Sequence, residues 1–175
     1  MMAGALAVPT LDIVTTGQVE KAMAVCEQIL LRAENRIAIA LTREWAKRFP
    51  LDAGVYAVFD KGDLIYVGET GSISARMIDF LDSRNYVLRR SIGNRLFAQG
   101  PGFRKATAHE RFPDRIERLV VEYIRDHLAV VPVIVALGRT EIEEYMTAKY
   151  RPIYNSKGKR GIKLHGPDGR PEIGS

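Results

Sequence analysis

Cysteine is almost missing from this chain: Cys26 is the only one in 175 residues. A single thiol closes no internal disulfide and builds no cysteine-based metal centre, so a reducing, cytoplasmic setting is expected. Histidine is scarce as well. His109, His127 and His165 show no spacing suited to zinc and read as incidental. Long apolar runs are lacking: no stretch approaches the roughly 18–20 residues that cross a bilayer, and no membrane association is expected. The opening MMAGALAVPTLDIV has neither a basic start nor a long apolar core, which makes it a poor secretion signal.

What is present suits one sizeable core with short extensions, with 46% hydrophobic residues over this length. The formal charge of +5 fits a polyanionic partner such as nucleic acid. Between Val19 and Phe49 apolar residues recur at three and four positions with no Pro or Gly before Pro50, the pattern of an amphipathic helix or helical pair. Residues 1–50 therefore read as an N-terminal helical extension that packs on the neighbouring core. Short helices are expected from Ser72 to Leu81 and over VLRRSIGNRLFAQG, and a longer one from Arg115 to Leu128. AVVPVIVAL reads as a buried strand with Pro132 near its start, and TEIEEYMTAKY as a final helix. The tail 157–175 is Gly-rich and basic, and flexibility is expected there.

The segment AGVYAVF-DKGD-LIYVG reads as a β-hairpin. A three-residue loop at Asp60, Lys61 and Gly62 would set Tyr56 directly opposite Tyr66 on one face, with Cβ atoms about 4.5–5.5 Å apart. A two-residue turn at Lys61-Gly62 would send the two phenols to opposite faces.

GVY ending at Tyr56, YVG beginning ten positions later at Tyr66, Arg76 beyond it, and EEYMTAKYRPIYN near the end together resemble the GIY-YIG nuclease superfamily, over about residues 51–156. The resemblance implies an α/β (α+β) domain with a small three-stranded antiparallel sheet flanked by helices, and a single-metal endonuclease activity on DNA. It implies that Tyr56 and Tyr66 are paired site tyrosines, with Tyr56 expected to orient or deprotonate the water and Tyr66 to organise the site, and that Arg76 is the helix arginine. By the same carry-over Glu143 is the metal ligand and Asn155 the polar residue closing the last motif. Magnesium is the implied ion, with manganese substituting. Two positions depart from the pattern: Phe80 stands where a His or Tyr is common, and Glu69 where Lys is frequent. Tyr86 could enter from the next segment in place of Phe80. These departures keep open a second reading, a DNA-binding module that no longer cuts.

The residue types suit the chemistry. Phosphodiester hydrolysis needs a deprotonated water and stabilisation of added negative charge on the phosphate, and a fixed cation helps with both. Magnesium accepts one carboxylate when substrate phosphate and waters complete its octahedron. Arginine offers a permanently charged fork matched to phosphate oxygens. Each residue also has a plainer role open to it: strand packing for the tyrosines, a solvated helix position for Arg76, and a loop fastening for Asn155. Glu143 has the most definite one, because Thr140 to Glu143 matches a helix capping box. For DNA contact the candidates are Arg84, Arg89, Arg90, Ser91, Arg95, Arg104 and Lys105, against a solvated basic face. A homodimer is a further possibility, since the chain has little room for a large target-reading domain.

Overall fold

The structure is a computed structural model that describes residues 6–11 and 18–155. The basic tail, with His165, lies outside the described residues. A mixed α/β architecture is built on one sheet. The hairpin strands β3 (Gly54–Asp60) and β4 (Asp63–Thr70) are antiparallel, and β5 (Leu128–Val135) runs antiparallel along the other side of β3. These are the three expected strands. Two further strands of two residues each raise the count to five: β1 (Thr10–Leu11), parallel to β5, and β2 (Ile37–Ala38), antiparallel to it.

Both extra strands come from the N-terminal extension, which the hydrophobic spacing reads as wholly helical. The first helix, α1 (Val19–Leu31), stops without Gly or Pro. Asn35 folds back and donates its side-chain amide to the Ile29 carbonyl at 2.9 Å, satisfying one of the open helix-end acceptors. A turn of 3-10 helix follows at Ala33–Asn35, and the chain then extends along β5 before α2 (Arg43–Ala46).

Pro132 is the fifth of eight residues in β5, further from its start than the sequence suggests, because the strand begins at Leu128 directly after a helix. Ile134 donates its N–H outward, to the Pro9 carbonyl. By the two-residue period of a strand, an N–H at 132 would point the same way, into the gap that β1 and β2 leave between them. No ladder bond is lost there, so proline is tolerated.

Helices cover both faces. Against one lie α2, α3 (Ile73–Asp79), α4 (Val87–Phe97) and α5 (Asp114–His127), sharing a core with Tyr56, Val58, Ile65 and Val130. Against the other lie α1 and α6 (Arg139–Tyr150), where Cys26, Leu30, Ile142 and Met146 pack on Val55, Ala57, Val67 and Val133. The N-terminal extension thus packs into the core, as expected. No helix among the described residues is long and apolar enough to cross a membrane.

Candidate active site

The hairpin turn has two residues, Lys61 and Gly62, both with positive φ, and Asp60 pairs with Asp63. That register alone would separate the phenols. It does not, because a β-bulge leaves Ile65 unpaired: Phe59 faces Leu64, whereas Val58 faces Tyr66. The extra residue returns Tyr66 to the face of Tyr56. Tyr56 ends opposite Gly68, with Tyr66 as its diagonal neighbour at a ring-centroid distance of 6.0 Å.

The glycines of the two motifs are spatial necessities. A Cβ on Gly68 would sit 2.5 Å from the Tyr56 hydroxyl and 2.7 Å from the Tyr66 ring. On Gly54 it would sit 2.2 Å from the Val133 carbonyl. The first lets the phenols close over the strand; the second lets β3 approach β5.

Tyr56 is 1% exposed and Tyr66 half-buried, so Tyr66 is the member of the pair that solvent reaches. The Tyr56 hydroxyl lies 2.8 Å from that of Tyr86, a buried residue just before α4. Phe80 stacks beside Tyr86 at 4.5 Å, and the Arg76 guanidinium sits 5.4 Å over the Tyr86 ring. Arg76 pairs with Asp79 at 3.1 Å, while its Nε is buried with no protein partner.

β4 is an edge strand, and its free edge organises the rest. The Ile65 carbonyl accepts from the Tyr154 N–H, and Asn155 clamps Val67: its Oδ1 accepts from the Val67 N–H at 2.9 Å and its Nδ2 donates to the Val67 carbonyl at 2.7 Å. One step further, Glu143 Oε2 accepts from the Glu69 N–H at 3.2 Å. The capping-box alternative for Glu143 is not realised. Helix α6 begins at Arg139 after a left-handed Gly138, and no side chain caps it. Glu143 instead sits one turn along and reaches the β4 edge beside the tyrosines.

Negative charge is concentrated here. Burial, then the charge of Glu69, push the Glu143 carboxyl above its ordinary range. Burial, then the charge of Glu143, raise the Tyr66 phenol. Burial likewise lifts Tyr56 well above 10, opposed by the Tyr86 hydrogen bond and by Arg76. Arg139, an i−4 neighbour of Glu143 that sequence reading overlooks, pairs with Glu69 at 3.3 Å. A surplus of partly buried carboxylate beside two raised phenols is the environment a divalent cation relieves, so the residues fit one. Among the described residues no three carboxylate, His or Cys groups gather to hold it, which leaves Glu143 with phosphate and water as the fitting donor set.

The proposed DNA contacts are divided. Arg89 is withdrawn from that role: it is 2% exposed, and its guanidinium donates to the Phe80 carbonyl, to Ser83 Oγ at 3.0 Å and to Glu117. Arg90 donates to the carbonyls of Ser83 and Arg84, Arg84 pairs with Asp82 at 2.7 Å, and Arg104 pairs with Glu110 at 3.4 Å. Ser91 is half-buried on α4, whereas Arg95 and Lys105 are exposed and have no ion-pair partner among the described residues. The run of basic residues reads as a track for phosphate, but part of it is a set of ties to nearby acceptors, and the tie from Arg89 to Glu117, 28 positions on, lies too far along the chain for local sequence to show.

Comparison with protein-family models gives no match, and comparison with curated proteins gives none. Among solved structures the chain is similar to the GIY-YIG N-terminal endonuclease domain of UvrC from Thermotoga maritima bound to magnesium. The identity is 22% and the TM-score 0.34, covering 65% of this chain and 94% of that one. A variant of the same domain carrying one tyrosine-to-phenylalanine change, bound to the catalytic divalent cation, matches at 21% identity and a TM-score of 0.35, covering 66% of this chain and 94% of that one.

Proposed function

We propose that this chain is a metal-dependent endonuclease that hydrolyses phosphodiester bonds in DNA, with Mg²⁺ as the ion and Mn²⁺ able to replace it. The observation that carries the reading is the convergence at the β4 edge of the Glu143 carboxylate, the Tyr56–Tyr66 pair and the Arg76 guanidinium. Glu143 holds the cation, whose Lewis acidity polarises the phosphate and lowers the pKa of water. Arg76, half-buried and tied to Asp79 through Nη1, donates to a phosphate oxygen with the rest of its fork and stabilises the charge that builds as water adds to phosphorus. Tyr66, rather than the buried Tyr56, is the base: with the cation's charge offsetting the burial and the Glu143 charge that raise its phenol, it would release its proton to solvent and, as phenolate, take one from the water; a new O–P bond forms, the bond to the leaving oxygen breaks, and that oxygen takes a proton from solvent. Tyr56, behind Tyr66 and coupled to it, shares the one proton that the singly ionised pair keeps, so the phenolate charge lies on either oxygen. Asn155 acts as a positioning residue, since both ends of its amide hold Val67 between Tyr66 and Gly68.

The test is cleavage of plasmid and oligonucleotide DNA with Mg²⁺, Mn²⁺ or chelator, using wild type and Glu143→Gln. Glutamine retains an oxygen to accept the Glu69 N–H while removing the charge. Cleavage is expected only with metal, and the variant should lose at least about 100-fold in kcat with its melting temperature preserved. A variant that cuts as fast as wild type refutes the assignment of Glu143. Metal-insensitive DNA binding without any cutting would instead favour the non-cleaving module.

A further inference from the structure

Tyr56 is buried, yet its hydroxyl has a partner: Tyr86, delivered by the segment between α3 and α4. Nothing local in the sequence demands a tyrosine there. The surrounding ties are heavy. Arg89 donates to the Phe80 carbonyl and to Ser83, Ser83 Oγ donates to Glu117 of α5 at 2.8 Å, and Asp82 accepts from the Arg84 N–H at 2.9 Å and from Arg111. Arg90 grips the carbonyls of Ser83 and Arg84. Arginines on α4 and on the loop before α5 therefore hold Phe80 and residues 82–84, the start of the turn that delivers Tyr86.

We infer that Tyr86 is a positioning residue for Tyr56, seated by the Arg89–Ser83–Glu117 cluster, and that its hydroxyl donates the hydrogen bond that orients the Tyr56 oxygen and steadies it as a phenolate. The inference rests on the function proposed above. A phenol can donate or accept, so with both groups protonated the bond has either direction; once Tyr56 is ionised only Tyr86 has a proton to offer. The groups that face the Tyr56 hydroxyl are few. Tyr66 comes from β4 and Arg76, itself paired with Asp79, from α3, while β5 places the non-titrating Pro132 opposite Tyr56. Burial raises both Tyr56 and Tyr86, and the bond from Tyr86 works against that rise at Tyr56. Tyr86 keeps its own proton throughout, so no net transfer is assigned to it.

The test places difluorotyrosine, whose phenol ionises at lower pH, at position 56 of the full chain and follows its fluorine NMR signal against pH. In a Tyr86→Phe background the ionisation midpoint should rise by about one pH unit, because a donor to the phenolate has gone. Tyr86→Met, which fills the space without a hydroxyl, should raise it likewise and serves if the phenylalanine variant folds poorly. An unchanged or lowered midpoint in a folded variant overturns the inference. In cleavage assays the same substitutions should move the acidic, rising limb of the pH–kcat profile upward, because the base then ionises at higher pH, and leave KM unchanged; a uniform drop at all pH values would mark a merely structural role and also overturn it. The NMR readout needs no activity, so a chain that never cuts DNA but shows the shifted midpoint refutes the proposed function and leaves the Tyr86–Tyr56 pairing standing.

Discussion

At the scale of residues, the site depends as much on what is left out as on what is supplied. The phenol of Tyr56 lies across the backbone of Gly68, and the smallest possible side chain there would overlap it. Gly68→Ala is expected to cost about 1–3 kcal/mol in denaturant unfolding, the usual penalty for overpacking. Its effect on cleavage should exceed what that loss explains, because the tyrosines must splay to make room. A variant with reduced stability and full activity would show that the close tyrosine geometry is not required. The residue scale is also where sequence reading was most limited. The spacing of Tyr56, Tyr66, Arg76 and Glu143 was legible, whereas the fate of Arg89 was not. A run of arginines on a helix looks the same whether they face solvent or, as here, one turns inward to a glutamate 28 positions away.

At the scale of elements, the position of Glu143 is only as firm as α6. That helix is tied to α1 by one carboxylate: Glu27 accepts from Lys149 at 2.7 Å, from Tyr145 at 2.6 Å and from Tyr150. Burial works against the charge of Glu27, yet the bonds from Lys149 and the two tyrosines bring its pKa from 4.5 to about 2. Since the folded value lies below the unfolded one, the contribution is fully present above pH 4.5 and is lost as pH falls toward 2. The stability difference between wild type and Glu27→Gln, measured by denaturant titration, should therefore shrink across that interval. A difference that stays constant with pH would mean that the carboxylate charge does not hold α6. The elements themselves were largely visible from periodicity, including α5, the hairpin and the final helix. The bulge at Ile65 was not: it is chosen by which side chains the two cores accept, and hydrophobic alternation along β4 carries no mark of it. The edge strands were hidden for a related reason, since a two-residue pairing leaves no period to detect.

At the scale of the whole molecule, the count of 26 lysines and arginines overstates what is offered to a polyanion. Arg89 is internal, and Arg84, Arg104 and Arg111 are matched by carboxylates. Of the basic residues proposed to meet phosphate, Arg90, Arg95 and Lys105 have no carboxylate partner among the described residues, and Arg76 shares its fork with Asp79. Fluorescence anisotropy of a labelled duplex across a salt series should give a log–log slope corresponding to about 2–4 phosphate contacts, well short of the full basic count. A slope demanding seven or more would show that basic residues beyond this set carry much of the contact. The three-stranded centre, the mixed α/β class and the packing of the N-terminal extension on the core follow from sequence, but its two strand pairings with β5 do not, because they join residues about a hundred positions apart.

Pro132 gives those pairings a further use. β5 is the most apolar strand of the sheet, and its outer margin is shielded by two fragments that do not meet. An ordinary residue in the opening would present a lone amide to passing polypeptide, a foothold from which a foreign strand could dislodge the short fragments and propagate self-association. With an imino ring at that spot the foothold is missing, so the weakest seam of the sheet is protected by the one residue that cannot continue it.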